Sequence, residues 1–452
     1  MLGFIIDQPA IAAAYLIVVV AATAGASFLI ARRLADSDFL LDAPSARSNH
    51  VRPTPRTGGV AIFVAFLGAC FAMSMLTPAV RAPDGFAAFA SVAIPAFLLG
   101  LADDWRSMPA SRRLVYQVAV AIVFILTFGA LTSAPVPVFG DTPLGWLGPV
   151  LTCFWIVAFM NAYNFMDGAN GLAGLTGLAG ACALAIAAGF GGDSVTSLIA
   201  LALAAAILGF LPVNYPSGRI FLGDGGSMSV GFILAALSVL AARPDGAGVT
   251  PLFAPIVFMP LLFDVAMTLL SRIFRRRNIG QAHSEHVYQL LIRLGAPHAR
   301  VAALYFALVT MTGASALAAL NFSAGGQWAV VIVLALALAP AHLLTQMRGL
   351  KVGLLVQPVS RPARRRKRRV RRRAYVVSDD RPNADAQARS PIGNGAEADA
   401  DAATASDARP VQKENPASTS EPVPPLRAAR KDGGGDLFDL PARADGASHA
   451  AE

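Results

Sequence analysis

The residues of this chain best equipped for chemistry lie in five short polar segments, each set against a long apolar run. Asp103 and Asp104 end one run side by side, in Leu101-Ala102-Asp103-Asp104-Trp105. Adjacent carboxylates repel, so they favour a shared cation or one raised pKa. Hard oxygen donors of this kind suit Mg²⁺. The segment Asn161-Ala162-Tyr163-Asn164-Phe165-Met166-Asp167-Gly168 adds more oxygens. Asn161 and Asn164 share one helical face, and Asp167 follows where Gly168 breaks the backbone. Three such side chains at a membrane boundary are costly unless used; the plainer alternative is amide hydrogen bonding between helices.

Asp224 stands among glycines in Phe221-Leu222-Gly223-Asp224-Gly225-Gly226-Ser227 and opens a helix. That arrangement resembles an oxygen-ligand and phosphate-binding turn, with a simple N-cap as the alternative. In Ala282-His283-Ser284-Glu285-His286-Val287-Tyr288-Gln289 the two histidines share a face if the segment is helical. With no thiolates nearby, imidazoles touching a diphosphate fit this company better than a soft metal. Ser48-Asn49-His50-Val51-Arg52-Pro53-Thr54-Pro55-Arg56-Thr57-Gly58-Gly59 is a proline-stiffened loop. It offers His50 and Arg56 to a substrate, with Arg56 just before a helix, placed to meet phosphate. Asp264 lies inside an apolar run and is expected to pair with something, as support for the site or as part of it.

The elements that must position these groups follow from composition. The chain has 452 residues, 55% of them hydrophobic and 14% charged, against about a quarter charged in soluble domains. Apolar runs near 9–31, 58–77, 86–102, 114–131, 146–163, 171–190, 195–213, 225–242, 251–271, 299–320 and 327–346 each approach the length that crosses a bilayer. Lipid cannot solvate backbone groups, so the runs should be helices. The fold expected is an all-α, polytopic membrane bundle of about 10–11 spans, with Pro95, Pro212, Pro255 and Pro260 kinking or ending helices. About fifteen arginines fall in alternate loops, while the opposite loops hold essentially Arg81 and Arg243. Such a bias marks the arginine-rich side as cytoplasmic, puts all five polar segments there, and makes the first run a retained helix entering from outside. The expected location is the bacterial inner membrane, with Trp146 and Trp328 at the outer interface and the C-terminus inside.

Residues 1–350 are read as the transmembrane domain, 351–373 as a basic juxtamembrane segment, and 374–452 as a disordered cytoplasmic tail poor in large apolar residues. The net charge of +9 owes much to the run from Arg361 to Arg373. That clustering argues against a general nucleic-acid binder and suits anionic lipid. Cys70, Cys153 and Cys182 sit in apolar runs and form no disulfide framework or CxxC pattern.

In order and spacing, the segments between residues 48 and 300 resemble the polyprenyl-phosphate N-acetylhexosamine-1-phosphate transferases, the MraY/WecA-like glycosyltransferases of family 4. The Asp103-Asp104 pair, the 161–171 segment and the 221–227 segment carry the resemblance; Pro53-Thr54-Pro55-Arg56 and Ala282–Gln289 look closest to the O-antigen-initiating branch. The resemblance implies a Mg²⁺-dependent enzyme, with Mn²⁺ able to replace the magnesium. It would move N-acetylhexosamine-1-phosphate from a UDP-sugar to undecaprenyl or another polyprenyl phosphate and release UMP, initiating a lipid-linked envelope polysaccharide. By the same resemblance Asn164 and Asp224 would hold the metal. Asp103 or Asp104 would orient or deprotonate the lipid phosphate, Asp167 would serve the nucleotide or the catalytic network, and His283 and His286 would contact the diphosphate. His50, Arg56 and Asn161 complete the expected substrate contacts. The triple histidine of the peptidoglycan enzyme is absent, which counts against a muramoyl-pentapeptide substrate, and Ser284 stands where related members carry Arg. Partners expected are the UDP-N-acetylhexosamine, the polyprenyl phosphate and anionic lipid, with a homodimer allowed.

A transporter or flippase of the lipid-linked sugar is the rival reading. Transporters place ionisable groups mid-membrane on broken helices with internal repeats. Here the charges gather at helix ends and no repeat is visible.

Overall fold

Helix after helix follows the apolar runs, because only a closed i→i−4 ladder satisfies backbone groups in lipid. In this computed structural model residues 9–42, 53–76, 85–277 and 283–355 are described, all within one compact unit. His50, the basic run 361–373 and the segment 374–452 lie outside them. The described helices are α1 (Pro9–Ala35), α2 (Gly58–Leu76), α3 (Phe86–Trp105), α4 (Ala110–Phe128), α5 (Leu147–Phe165), α6 (Leu172–Phe190), α7 (Ser194–Asn214), α8 (Gly223–Ala241), α9 (Phe253–Val257), α10 (Met259–Phe274), α11 (Val287–Arg293), α12 (His298–Ala319) and α13 (Ala324–Lys351). Among the described residues nine helices are long and apolar enough to cross a membrane, and the chain is a polytopic helical membrane protein.

The bundle is built around α8, which is buried along nearly its whole length. It packs against α2, α3, α5, α6 and α7. Helices associate in lipid through close packing of small residues rather than through a hydrophobic force, and α8 is rich in Gly, Ala and Ser for that reason. The same rule seats α1 on α7: a Cβ on Gly209 would lie 2.0 Å from the Ala24 carbonyl oxygen, and Ser27 Oγ donates to the Ala206 carbonyl at 2.6 Å. By contrast, α13 lies at the periphery and presents its apolar side chains outward.

Two features depart from the sequence reading. The run expected as one span over 251–271 breaks at Phe258 into the short α9 and the longer α10. Pro260 has no N–H to give the helix across that point, and Phe258 accepts instead from the N–H groups of Leu261 and Leu262. The connection between α4 and α5 holds a hairpin, β3 (Ser133–Val136) with β4 (Gly140–Pro143), in register from Ser133↔Pro143 to Val136↔Gly140. The Trp328 indole at the start of α13 donates to the Pro135 carbonyl at 2.8 Å and anchors this hairpin. A second antiparallel pair, β1 (Leu41–Asp42) with β2 (Thr54–Pro55), precedes α2 at the opposite end.

Candidate active site

At the end of the bundle where α3, α5 and α7 finish and α2, α6 and α8 begin, the polar segments meet. Glycines make the approach close. A Cβ on Gly59 would stand 2.2 Å from the Gly226 nitrogen, and one on Gly100 would stand 2.2 Å from the Asp224 carbonyl oxygen. The chain entering α2 runs alongside the loop entering α8: Phe221 N–H donates to Pro55, Gly58 N–H to Phe221 and Gly59 N–H to Leu222, all at 2.8 Å. Backbone thus meets backbone at the base of the site, where a side chain of any size would force the segments apart.

Asp104 uses this closeness. Its two carboxylate oxygens accept from the N–H groups of Asp224 at 3.0 Å and Gly225 at 2.8 Å. The carboxylate of α3 therefore occupies the positive end of α8, where an anion is stabilised. This corrects the expectation of a phosphate-binding turn at 221–227, because those N–H groups already have an acceptor. Asp103, also beside the Asp224 carboxyl, accepts from the Met108 N–H at 2.6 Å and pairs with Arg113 Nη1 at 3.0 Å. The adjacent carboxylates thus take different protein partners, Arg113 and the Met108 N–H for Asp103 and the start of α8 for Asp104.

Asp224 lies one residue into α8 and accepts from Asn164 Nδ2 at 2.8 Å; the same amide nitrogen donates to Ser227 Oγ at 2.8 Å. Asp167 follows in the loop after α5, half-buried. Burial, and then the charges of Asp224 and Asp104, push its carboxyl well above the ordinary range, with Arg56 opposing. Arg56 is itself paired with Asp42 at 2.6 Å. Burial opposes its charge, but Asp42, Asp104 and Asp224 outweigh that, and its pKa is raised. Five carboxyl groups, those of Asp42, Asp103, Asp104, Asp167 and Asp224, thus surround Arg56 and Arg113, and the balance at the site favours further cations.

Asn161 stands apart from this group. Its amide donates to Gln117 Oε1 at 2.6 Å and to the Val157 carbonyl at 2.8 Å, joining α5 to α4. The inter-helix alternative describes its contacts.

The imidazoles come from a second structure. Val287 and Tyr288 at the start of α11 donate their N–H groups to Asp264 at 2.9 and 3.4 Å, and Tyr305 Oη donates to the same carboxylate at 2.7 Å. His286 Nδ1 lies 3.7 Å from Asp264 Oδ1. Asp264 is therefore the buried support that holds the entry to α11. His283 precedes the helix rather than sharing a helical face with His286, yet their ring centroids are 5.0 Å apart. Burial first, then the charges of His286 and Arg272, push the His283 pKa down to about 4, so it is neutral at physiological pH. Tyr288 ties this arm to the acidic loop: its hydroxyl donates to the Phe165 carbonyl at 2.8 Å and rests against Gly168.

Asn214, Gln117 and Arg113 were not singled out in the sequence. Asn214 is buried at the end of α7, accepts from Gly171 N–H at 2.8 Å and donates to the Ile220 carbonyl at 2.8 Å. It thereby spans the loops that carry Asp167 and Asp224. Its only signal in sequence was an amide at a helix end; Arg113 carried the ordinary signal of a cytoplasmic-side arginine.

Among the described residues no three His, Cys, Asp or Glu side chains stand together as a ready-made metal cage. Asp224, Asn164 and Asp167 carry the hard oxygens that could hold a divalent ion such as Mg²⁺, with water and substrate phosphates completing its shell.

The segment that builds the acidic group is also where the chain matches known proteins. Residues 86–242, from α3 through α8, match the family model described as glycosyl transferase family 4. The chain is 28% identical over 271 residues to the probable undecaprenyl-phosphate N-acetylglucosaminyl 1-phosphate transferase of Bacillus subtilis, covering 60% of this chain and 74% of that protein. It is 30% identical over 321 residues to the decaprenyl-phosphate N-acetylglucosaminephosphotransferase of Mycobacterium tuberculosis, covering 64% and 78%. Against the undecaprenyl-phosphate alpha-N-acetylglucosaminyl 1-phosphate transferase of Escherichia coli K12 it is 26% identical over 291 residues, covering 63% and 76%. A membrane bundle that converges its carboxylates at one end, with this degree of likeness along most of its relatives' length, belongs to glycosyl transferase family 4, among its polyprenyl-phosphate N-acetylhexosamine-1-phosphate transferases.

Proposed function

We propose that this enzyme transfers N-acetylhexosamine-1-phosphate from a UDP-sugar to polyprenyl phosphate, releasing UMP, at the cytoplasmic end of its bundle. The convergence of Asp103, Asp104, Asp167 and Asp224 beside Arg56 is the observation that carries this reading. One reactant is confined to the bilayer and the other is dissolved, so the reaction belongs at a helix-end mouth.

A phosphate monoester has a second pKa near 6 and is largely a dianion at neutral pH. Its oxygen attacks the sugar-bearing phosphorus; that P–O bond forms as the bond to UMP breaks, and UMP leaves as the dianion. No proton has to move. Catalysis is then positioning and neutralisation of charge. Asp104 positions the first turn of α8 and with it Asp224. Asn164 orients Asp224 and Ser227. Arg56, freed from Asp42, meets phosphate, and His283 and His286 offer ring N–H groups to the diphosphate. Mg²⁺, held by Asp224 and Asn164 with Asp167 close by, would supply Lewis-acid neutralisation of the phosphates.

The test is UMP release by purified protein given a panel of UDP-N-acetylsugars and undecaprenyl phosphate, with identification of the lipid product. Turnover should need both substrates and a divalent ion, and Asp224→Asn should abolish it. Undiminished turnover in Asp224→Asn and Asp104→Asn would overturn the site; absence of turnover in the wild type with every donor would overturn the reaction.

A further inference from the structure

Between the two histidines lies a residue with no part in the chemistry described so far. Glu285 is buried, and its Oε1 accepts from Arg272 Nη1 and Arg277 Nη1, each at 2.6 Å. Its backbone carbonyl accepts from Gln346 Nε2 of α13 at 3.0 Å. Arg277 also donates Nη2 to the Leu355 carbonyl at 3.0 Å. The residue is therefore held by its side chain to the end of α10 and by its backbone to α13. Its neighbours His283 and His286 hold their rings 5.0 Å apart.

Buried ion pairs bring little net stability, because desolvation offsets most of the attraction. Their attested use is to fix one arrangement among several. The carboxylate of Glu285 joins two guanidiniums, one on α10 and one just past its end, so it fixes the path of the segment between them and the imidazoles.

We propose that the Arg272–Glu285–Arg277 triad is a positioning device for the UDP-sugar. It fixes the segment that carries His283 and His286, and with it the place those rings take against the donor's diphosphate. The triad acts on recognition of the soluble donor and leaves the lipid acceptor untouched. This inference rests on the reaction proposed above.

The experiment compares steady-state constants for both substrates in wild type, Glu285→Gln, Glu285→Asp and the charge-exchanged pair Arg277→Glu with Glu285→Arg. Thermal unfolding in detergent reports folding of each variant. Glu285→Gln should raise KM for the UDP-sugar about tenfold, the scale of one lost charge-assisted contact, while KM for undecaprenyl phosphate stays within about twofold of wild type. Glu285→Asp should fall between the two. The exchanged pair, which restores one ion pair with its sign reversed, should recover a large part of the loss. Equal rises in both KM values, or a fall in kcat alone, would show a structural role and overturn the proposal. If Glu285→Gln does not fold, Glu285→Asp and the exchanged pair decide on the same readout. A wild type that turns over normally with no change of donor KM in the variants defeats the triad and leaves the reaction standing; an inactive wild type defeats the reaction itself.

Discussion

The acidic group and the imidazole arm are held in opposite ways. The carboxylates stand on the ends of long helices, and those ends are pressed together by glycines until backbone touches backbone at Gly59, Gly100 and Gly226. The histidines stand on the extended segment that leads into the seven-residue helix α11, with His286 as its N-cap. Asp264, Glu285, Tyr288 and Gln346 hold that arm through hydrogen bonds and ion pairs. One half of the site is fixed by shape, the other by polar clamps. Shape resists change in all directions, while polar clamps can be released one at a time. The half that seats charge is thereby rigid, and the half expected to meet the variable donor is adjustable.

The strongest way to break this contrast is to give the acidic half a methyl it cannot accommodate. Gly100→Ala would place a Cβ against the Asp224 carbonyl, which is backbone and cannot swing aside. Overpacking of this kind costs about 1–3 kcal/mol or more. It should lower the thermal midpoint in detergent and remove turnover together. A fully stable Gly100→Ala protein would show that the helices are free to part.

Next is the support of the arm. Asp264→Asn keeps the size but removes the charge that accepts from Val287, Tyr288 and Tyr305. Charge-assisted bonds are each worth about 1.5–3 kcal/mol. Turnover should drop by one to two decades, on the order of one such bond, with the acidic half still able to bind a divalent ion as read by Mn²⁺ electron paramagnetic resonance. Loss of ion binding in that variant would join the two halves into one unit.

Asp167 sharpens the contrast through pH. Its folded-state pKa is raised, by burial first and then by neighbouring carboxylates. The protonated form is therefore the better tolerated, and the associated stability is present below the unfolded pKa near 4 and is lost as pH rises towards the folded value. Asp167→Asn should accordingly be more thermostable than wild type at pH 8 and equal to it in acid, while losing activity. A stability gain at all pH values would point to packing rather than charge. The smallest effect is expected from Tyr288→Phe, which deletes the one hydrogen bond from the arm to Phe165. It should cost about 1 kcal/mol and change turnover less than Asp264→Asn does.

The contrast also decides what could be read in advance. Asp103, Asp104, Asn164, Asp167 and Asp224 announced themselves, because carboxylates and amides at membrane boundaries are rare and stand out against apolar runs. The hairpin at 133–143 and the break at Phe258 did not, since one has no strong alternation and the other lies inside a continuous apolar run. Asn161 and Asn164 look alike in sequence, three residues apart. Yet one is absorbed by Gln117 on α4 and the other faces Asp224 and Ser227. Glu285 carried no signal of its own between the histidines, and its arginine partners 8 and 13 residues earlier gave no local hint.

What the amino-acid order determined alone is the membrane, the helices and the gathering of charge at one set of helix ends. Those follow from the cost of polar groups in hydrocarbon, which acts on each segment independently. Only the tertiary structure decided where each carboxylate points: Asp104 into the end of α8, Asp103 onto Arg113, Asp264 under α11. Such choices depend on which backbone N–H or cation lies within about 3 Å, and that is set by packing between segments far apart in the chain.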